Sequence, residues 1–338
     1  MRSTALWVGI VVALVGGCAH GSTPATRTAD EDIAFEDEGD GASRYPASAE
    51  VQAAEARLVA GELAEARRLL GAYLEGHPRD PRALLDLGLC LELGDDLPGA
   101  EARYREALSV APDFAEALNN LGLLLRDTER RAEAIPLFQR AISIRPGFGE
   151  AHQNLAMTFE EEGRLDEAEA EYRTAARLSP RDPLPRVNLG FLLVRRGRLD
   201  DGTVELRRAR TLAQGDAALS REIARGLVDA GHADEAVAIL EGLVAAEDAP
   251  SATLLVELAA AQVAARRFPQ AEESARRAVR ADDRSAVAHL LLGRLLAARQ
   301  ANDEARGELQ RAQALAGDDV AIARAAQDAL RNLPPASR

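Results

Sequence analysis

The sequence predicts an all-α fold: a solenoid of stacked helix–turn–helix hairpins, closed by a C-terminal capping helix. Three observations carry this. The motif Leu118-x-x-Leu121-Gly122-x-x-Leu125 recurs 34 residues upstream as Leu84-x-x-Leu87-Gly88-x-x-Leu91. A second motif follows at fixed distance, as Ala100-x-x-x-Tyr104-x-x-Ala107, Ala134-x-x-x-Phe138-x-x-Ala141 and Ala168-x-x-x-Tyr172-x-x-Ala175. Pro112, Pro146 and Pro180 then close three units at the same interval.

Each motif is one helical face. Apolar residues at i, i+3 and i+7 share a side of a helix. The glycine among them lets a neighbouring helix approach closely. The frame extends to eight units: 47–80, 81–114, 115–148, 149–182, 183–216, 217–250, 252–285 and 286–319. In the first, Ala53-Ala54 replaces Leu-Gly, but Ala66, Leu70 and Pro78 remain. The fifth carries Gly202 where alanine is expected and lacks a closing proline. The sixth keeps Ile223-Ala224 with Ala236 and Leu240, and one extra residue near Ser251 separates it from the seventh. The last two carry Leu258-Ala259 and Leu292-Gly293.

Punctuation follows the frame. Gly163, Gly197 and Gly231 fall where the first helix of a unit must turn into the second, a place for positive φ. Pro98 and Pro269 open second helices, where a missing N–H costs nothing. Pro136 alone fits no such role, lying a turn into its helix. Asp318 or Asp319 caps a final helix from Val320 to about Leu333, which Pro334-Pro335 ends. Such a helix covers the apolar face the last unit would otherwise expose.

These residues resemble the tetratricopeptide repeat, a 34-residue helix–turn–helix unit with this small/large pattern. The resemblance implies a right-handed superhelical solenoid. It also implies a groove lined by the first helix of each unit, and work done by binding other proteins.

The chain is predicted to fall into four parts. Residues 1–17 read as an export signal: Met1-Arg2-Ser3, then an apolar run too short for the roughly 20 residues that span a bilayer. Val15-Gly16-Gly17-Cys18 resembles the lipobox of bacterial lipoproteins, which implies cleavage before Cys18 and its lipidation. Alanine, not aspartate, follows the cysteine; by the same resemblance this implies an outer-membrane protein facing the periplasm. Residues 18–46 read as a disordered acidic tether, with Asp30-Glu31-Asp32, Glu36-Asp37-Glu38 and Asp40 in a segment poor in apolar groups. The repeats occupy 47–319, and 320–338 are the capping helix and tail.

Composition excludes several functions. The 338 residues carry a formal charge of −14, and all 41 basic residues are arginine. With no sustained basic surface, the chain is a poor match for phosphate backbones, so no nucleic-acid partner is expected. The absence of lysine rules out a Walker-type loop and Schiff-base chemistry. The histidines His20, His77, His152, His232 and His289 have no metal-ligand spacing, and no metal or other cofactor is expected. His152 and His289 fall on packing stripes, and Cys90 reads as a small core residue. No nucleophile stands with a base, so the chain is not read as an enzyme.

The candidate site is therefore the groove. Asn120, Asn154 and Asn188 recur 34 residues apart, as rungs that could hold a peptide backbone. Glu116, Asn119, Arg126, Asp127, Gln153 and Glu160 are their expected polar neighbours. Units seven and eight instead offer Val256, Val263, Ala264, Leu290, Leu291 and Ala297, an apolar groove end that the cap, a partner or a second copy must cover. The expected function is a scaffold or assembly factor that recruits an envelope protein, as in lipoproteins of this architecture serving pili, secretion or envelope assembly. The alternatives are a self-assembling structural protein and the regulatory arm of an envelope enzyme.

Overall fold

The computed structural model describes residues 44–213 and 215–334. Among these it has 17 α-helices and no strand. They pair in order as α1 (Ala49–Val59) with α2 (Leu63–Gly76), α3 (Pro81–Leu93) with α4 (Leu97–Val110), α5 (Ala115–Asp127) with α6 (Arg131–Ile144), and α7 (Gly149–Glu161) with α8 (Leu165–Leu178). The series continues with α9 (Leu184–Arg195) and α10 (Leu199–Leu212), α11 (Ala217–Asp229) and α12 (Ala233–Ala246), α13 (Ala252–Ala264) and α14 (Phe268–Ala281), and α15 (Ala286–Ala298) and α16 (Asn302–Leu315). The last helix is α17 (Val320–Arg331). The chain divides into two compact bodies, 44–189 and 190–334, with the division inside α9. The expected signal segment and most of the tether, including Cys18, lie outside the described residues.

In the first body the large residue of each second helix plugs into the first. Tyr104, Phe138 and Tyr172 are all buried, each flanked by buried alanines one turn either side. A Cβ added at Gly88 would stand 2.5 Å from the Tyr104 ring, and one at Gly122 would stand 2.7 Å from that of Phe138. The glycine is thus the socket for the ring. Burying such a side chain contributes about 1.5–3 kcal/mol.

The second body uses the same device with aliphatic plugs. Leu206 sits against Gly190, and Leu309 against Gly293. Gly202, the departure in unit five, has a cause: a Cβ there would meet the Gly190 carbonyl at 2.8 Å and Val194 Cγ2 at 2.6 Å. The α9–α10 hairpin closes too tightly for alanine.

All eight intra-unit turns are alike. Gly61, Gly163, Gly197 and Gly231 have positive φ, and so do Asp95, Glu129, Arg266 and Gln300 at the same place in their units. The next residue's N–H returns to the carbonyl five residues back, as in Asp96 N to Leu91 O at 2.8 Å. This closes the helix with a left-handed residue.

Helix starts are satisfied side by side with these turns. Asp80, Asp216, Ser251 and Ser285 accept from N–H groups of α3, α11, α13 and α15. Of the two candidate caps for the last helix, Asp319 serves, accepting from Ala321 and Ile322 at 3.0 Å each. Pro136 lies inside α6. Its missing N–H orphans the Ala132 carbonyl, but both residues are on the exposed side, where that carbonyl costs little because it is open to solvent.

The capping helix α17 packs Ile322, Ala326 and Ala329 on Leu290, Leu309 and Ala312. Among the described residues no helix is long and apolar enough to cross a membrane.

Candidate peptide-binding face

The first helices of successive units meet along α5–α7 in the first body and along α11–α13–α15 in the second. Which of their residues stay open is decided by the fifth and sixth places in each unit. The fifth place turns into the seam between neighbouring first helices in most units, while Gln153 and Arg221 stay half-open there. Leu85, Asn119, Val187, Val256 and Leu290 stand there, and all are buried. The sixth place stays half-open at Asn120, Asn154 and Asn188.

The amides do not stack 120 on 154 on 188. Asn154 Nδ2 donates to Asn119 Oδ1 at 3.0 Å, and Asn119 Nδ2 reaches Asn120 Oδ1 at 3.5 Å. Asn119, 4 % exposed, is therefore the internal link of an amide chain, not a groove-lining group. Asn120 keeps its N–H donors and Asn154 its carbonyl oxygen outside any hydrogen bond among the described residues. Asn188 makes no side-chain hydrogen bond among them, and Gln153 is half-buried without one.

Arg126 lies along α7 with Nη1 at 3.6 Å from Met157 Sδ, and pairs with Asp127 at 2.8 Å. Glu116 is bridged to Arg145 at 3.1 Å, whose guanidinium lies 3.6 Å over the Phe148 ring. Glu160 accepts from the Tyr172 hydroxyl at 2.8 Å. The amides of the first body thus sit among charges that are already matched. What they present is a donor on one helix and an acceptor on the next. With neighbouring helices about 10 Å apart and a strand rising about 3.3 Å per residue, every third peptide unit of an extended segment would meet an amide.

The apolar end expected in units seven and eight is not an open surface. Val256, Val263, Leu290 and Leu291 are all at most 5 % exposed. The closely packed α13 and α15 enclose them, and Leu290 lies in the cluster under the capping helix. Only Ala264 and Ala297 of that group are half-open. No second copy is needed to cover this end.

The two stripe histidines are matched staples. His152 Nδ1 stands 2.6 Å from Glu171 and Nε2 3.2 Å from the Pro146 carbonyl. His289 repeats the arrangement with Glu308 at 2.6 Å and the Asp283 carbonyl at 3.0 Å. Each ring ties its first helix to its second and to the loop before it. Among the described residues no three His, Cys, Asp or Glu side chains form a group that could hold a metal. Cys90 is 3 % exposed, and burial with the nearby Asp86 carboxyl pushes its thiol up to about 12.

One cluster escaped the sequence reading. Arg82 and Asp86 on α3 are both buried, and Glu55 of α1 closes on them. Arg82 Nη2 meets Glu55 at 2.6 Å, and its Nε lies 3.4 Å from Asp86. Asp86 also hydrogen-bonds the Glu55 carboxyl, and burial raises its pKa well above the usual range. The available signal was an i, i+4 charged pair inside an otherwise apolar helix.

A family model described as tetratricopeptide repeat matches residues 51–102, 94–147 and 256–336, and a second of the same description matches 125–186. The chain belongs to the tetratricopeptide repeat family. Tetratricopeptide repeats are protein-interaction modules, and the all-α repeat fold is the one expected. Residues 187–255, outside both matches, hold most of the divergent fifth unit, and the helices there still alternate as in the other units.

Solved structures agree on the fold. The chain is similar to Pseudomonas aeruginosa pilF, with 19 % identity, TM-score 0.53, and 62 % of this chain and 93 % of that one covered. It is similar to yeast Tom70, with 19 % identity, TM-score 0.54, and coverage of 89 % and 67 %. It is also similar to a tetratricopeptide repeat protein from Parabacteroides merdae, with 18 % identity, TM-score 0.51, and coverage of 73 % and 97 %. No functionally curated protein matches the chain in sequence.

Proposed function

We propose that this chain is a protein-binding scaffold, anchored in the bacterial outer membrane through lipidated Cys18, that recruits an envelope protein for assembly. The observation that carries the binding reading is the amide chain of α5 and α7, with a spare donor on Asn120 and a spare acceptor on Asn154. A peptide backbone offers the complementary pair, and an extended partner segment loses little by binding groups that are already held in place. The anchoring reading rests on the signal-like start and Val15-Gly16-Gly17-Cys18. Together they describe a body that is localised by lipid and selective through its repeats.

The decisive experiment is affinity capture from envelope extracts, using wild type and an Asn120→Ala/Asn188→Ala variant side by side. A partner captured by wild type and lost by the variant supports the reading. A partner captured equally by both moves the binding surface elsewhere. Anchoring is tested separately by Cys18→Ser: if the variant still fractionates with membranes after a high-salt wash, the lipoprotein reading fails.

A further inference from the structure

The buried polar side chains among the described residues are matched, with one exception. Arg82 meets Glu55, Asn119 accepts from Asn154, Gln262 accepts from Ser274, and the two buried histidines have their carboxylates. Thr158 and Thr203 donate to carbonyls of their own helices, and Glu169 holds Arg173. Arg294 of α15 is 8 % exposed and has neither a hydrogen bond nor an ion pair among the described residues. The charge that acts on it is Asp328 of α17, an exposed carboxylate that instead pairs with Arg331 at 3.5 Å. Burial pulls the Arg294 guanidinium below its ordinary value, and the Asp328 charge opposes this without cancelling it.

Arg294 occupies the ninth place of its unit. Elsewhere this place holds Leu89, Leu123, Met157, Phe191 or Ala260. Unit six also has an arginine there, but Arg225 is exposed, lies over the Phe191 ring and stands 3.9 Å from Glu222. The surroundings on α15 are apolar, with Leu290 and Leu291 one turn before Arg294 and Ala297 and Ala298 one turn after. The leucines are buried, but Ala297 is half-open and Ala298 exposed, so short side chains leave a way in. The head group is not sealed off. The sealed, unpartnered side-chain nitrogens among the described residues are Arg145 Nε and Arg306 Nε, and none belongs to Arg294.

A guanidinium withdrawn from water without a counter-charge is costly, and arginine does not escape by losing its proton. A carboxylate completes it through two parallel hydrogen bonds. One guanidinium balances one negative charge, which suits a carboxylate better than a phosphate dianion. With Asp328 close by and a chain charge of −14, a run of acids would be repelled, so a single acid fits best. The apolar neighbours offer a free small acid no second polar anchor, so further affinity must come from apolar flanks.

We propose that Arg294 anchors a second binding site, which takes the side-chain carboxylate of one aspartate or glutamate flanked by apolar residues in a partner segment. The site lies wholly in the second body and stands whether or not the amide chain of the first body binds.

The test uses the full chain, isotopically labelled, and follows the Arg294 Nε–Hε resonance, identified by its loss in Arg294→Lys. The probe is a pool of short end-blocked peptides, each with one central glutamate among alanine, valine and leucine, set against the same pool with glutamine. The glutamate pool should shift the resonance saturably, at about tenfold lower concentration than the glutamine pool, as one charge-assisted contact implies. Butyrate and inorganic phosphate should both be weaker than the glutamate pool. No shift with that pool, or an equal response to glutamine peptides, butyrate or phosphate, overturns the proposal. A second readout needs no ligand. Arg294→Met removes the unmatched charge and keeps an apolar side chain, so it should raise the urea midpoint of the free chain. A lowered midpoint would mean that Arg294 is already matched. Asp328→Asn should leave the glutamate response intact. If it instead shifts the resonance of the free chain as far as the pool shifts the wild type, Asp328 is the occupant and the proposal falls.

Discussion

Asn154 on α7 donates to Asn119 on α5 across 35 residues, one more than the repeat period. The extra residue sets the register between neighbouring first helices: the sixth place of one unit meets the fifth place of the unit before. It also separates two roles. Asn154→Ala orphans a buried acceptor on Asn119 and should destabilise the chain by about 1–2 kcal/mol. Asn188→Ala breaks no bond and should leave stability unchanged, while still weakening partner binding. Urea unfolding of the two variants checks this; equal midpoints would mean that the amide chain contributes nothing.

Four of the eight intra-unit turns carry a side chain in the left-handed region: Asp95, Glu129, Arg266 and Gln300. That conformation costs roughly 1–2 kcal/mol for an L-residue, partly offset by the unfolded-state freedom that glycine adds. Arg266→Gly and Gln300→Gly should each stabilise by about 0.5–1 kcal/mol. Asp95→Gly should gain less, because aspartate tolerates the region better. Thermal unfolding of the three single variants ranks them directly, and a loss of stability in all three would refute the strain.

The socket at Gly122 should be intolerant of even one methyl. A Cβ there would stand 2.7 Å from the Phe138 ring, which is itself fully enclosed. Gly122→Ala is expected to cost about 1–3 kcal/mol through overpacking. Phe138→Leu should cost less in the Gly122→Ala background than in wild type, since the smaller side chain relieves the clash. A double-mutant cycle with no coupling would place the two residues out of contact.

What the sequence made legible was whatever repeats. The 34-residue recurrence located the hairpins, the sockets at Gly88 and Gly122, and three of the glycine turns, because each is a local demand on one residue type. The other turns were hidden, since Asp95, Glu129, Arg266 and Gln300 carry no glycine to announce positive φ. The groove was half legible. Spacing placed Asn120, Asn154 and Asn188 on one stripe, but a period cannot say how far neighbouring helices rotate. A rotation of one residue turned Asn119, Val256 and Leu290 from lining into seam. The Glu55–Arg82–Asp86 cluster bridges units one and two and does not recur at the 34-residue interval, so recurrence was blind to it.

That cluster yields the last prediction. Two carboxyls and one guanidinium are enclosed together, so with both acids ionised one negative charge is left without a counter-charge in a poorly hydrated seam. Burial, the largest influence, raises the Asp86 pKa, with the Arg82 charge opposing and the Glu55 carboxyl adding to the rise. The folded-state value thus stands above the unfolded one of about 3.9. The folded chain keeps a proton that the unfolded chain has released. The stability linked to Asp86 is therefore fully present below about pH 4 and is lost as pH rises through the raised value. Arg82 and Cys90 face Asp86 from its own helix and Glu55 from α1, while Glu116 of α5 and Arg67 of α2 act on Arg82 and Cys90. Asp86→Asn mimics the protonated acid at every pH and keeps the Arg82–Glu55 ion pair. It should raise stability by about 1–2 kcal/mol at neutral pH, and the advantage should shrink towards zero near pH 4. Arg82→Leu should do the reverse, costing about 3–5 kcal/mol at neutral pH and less in acid, because it leaves two carboxyls facing each other. Urea titrations of both variants at two pH values decide the matter. An Asp86→Asn variant less stable than wild type at neutral pH would show that Asp86 is held ionised by Arg82, and that the shared proton is not there.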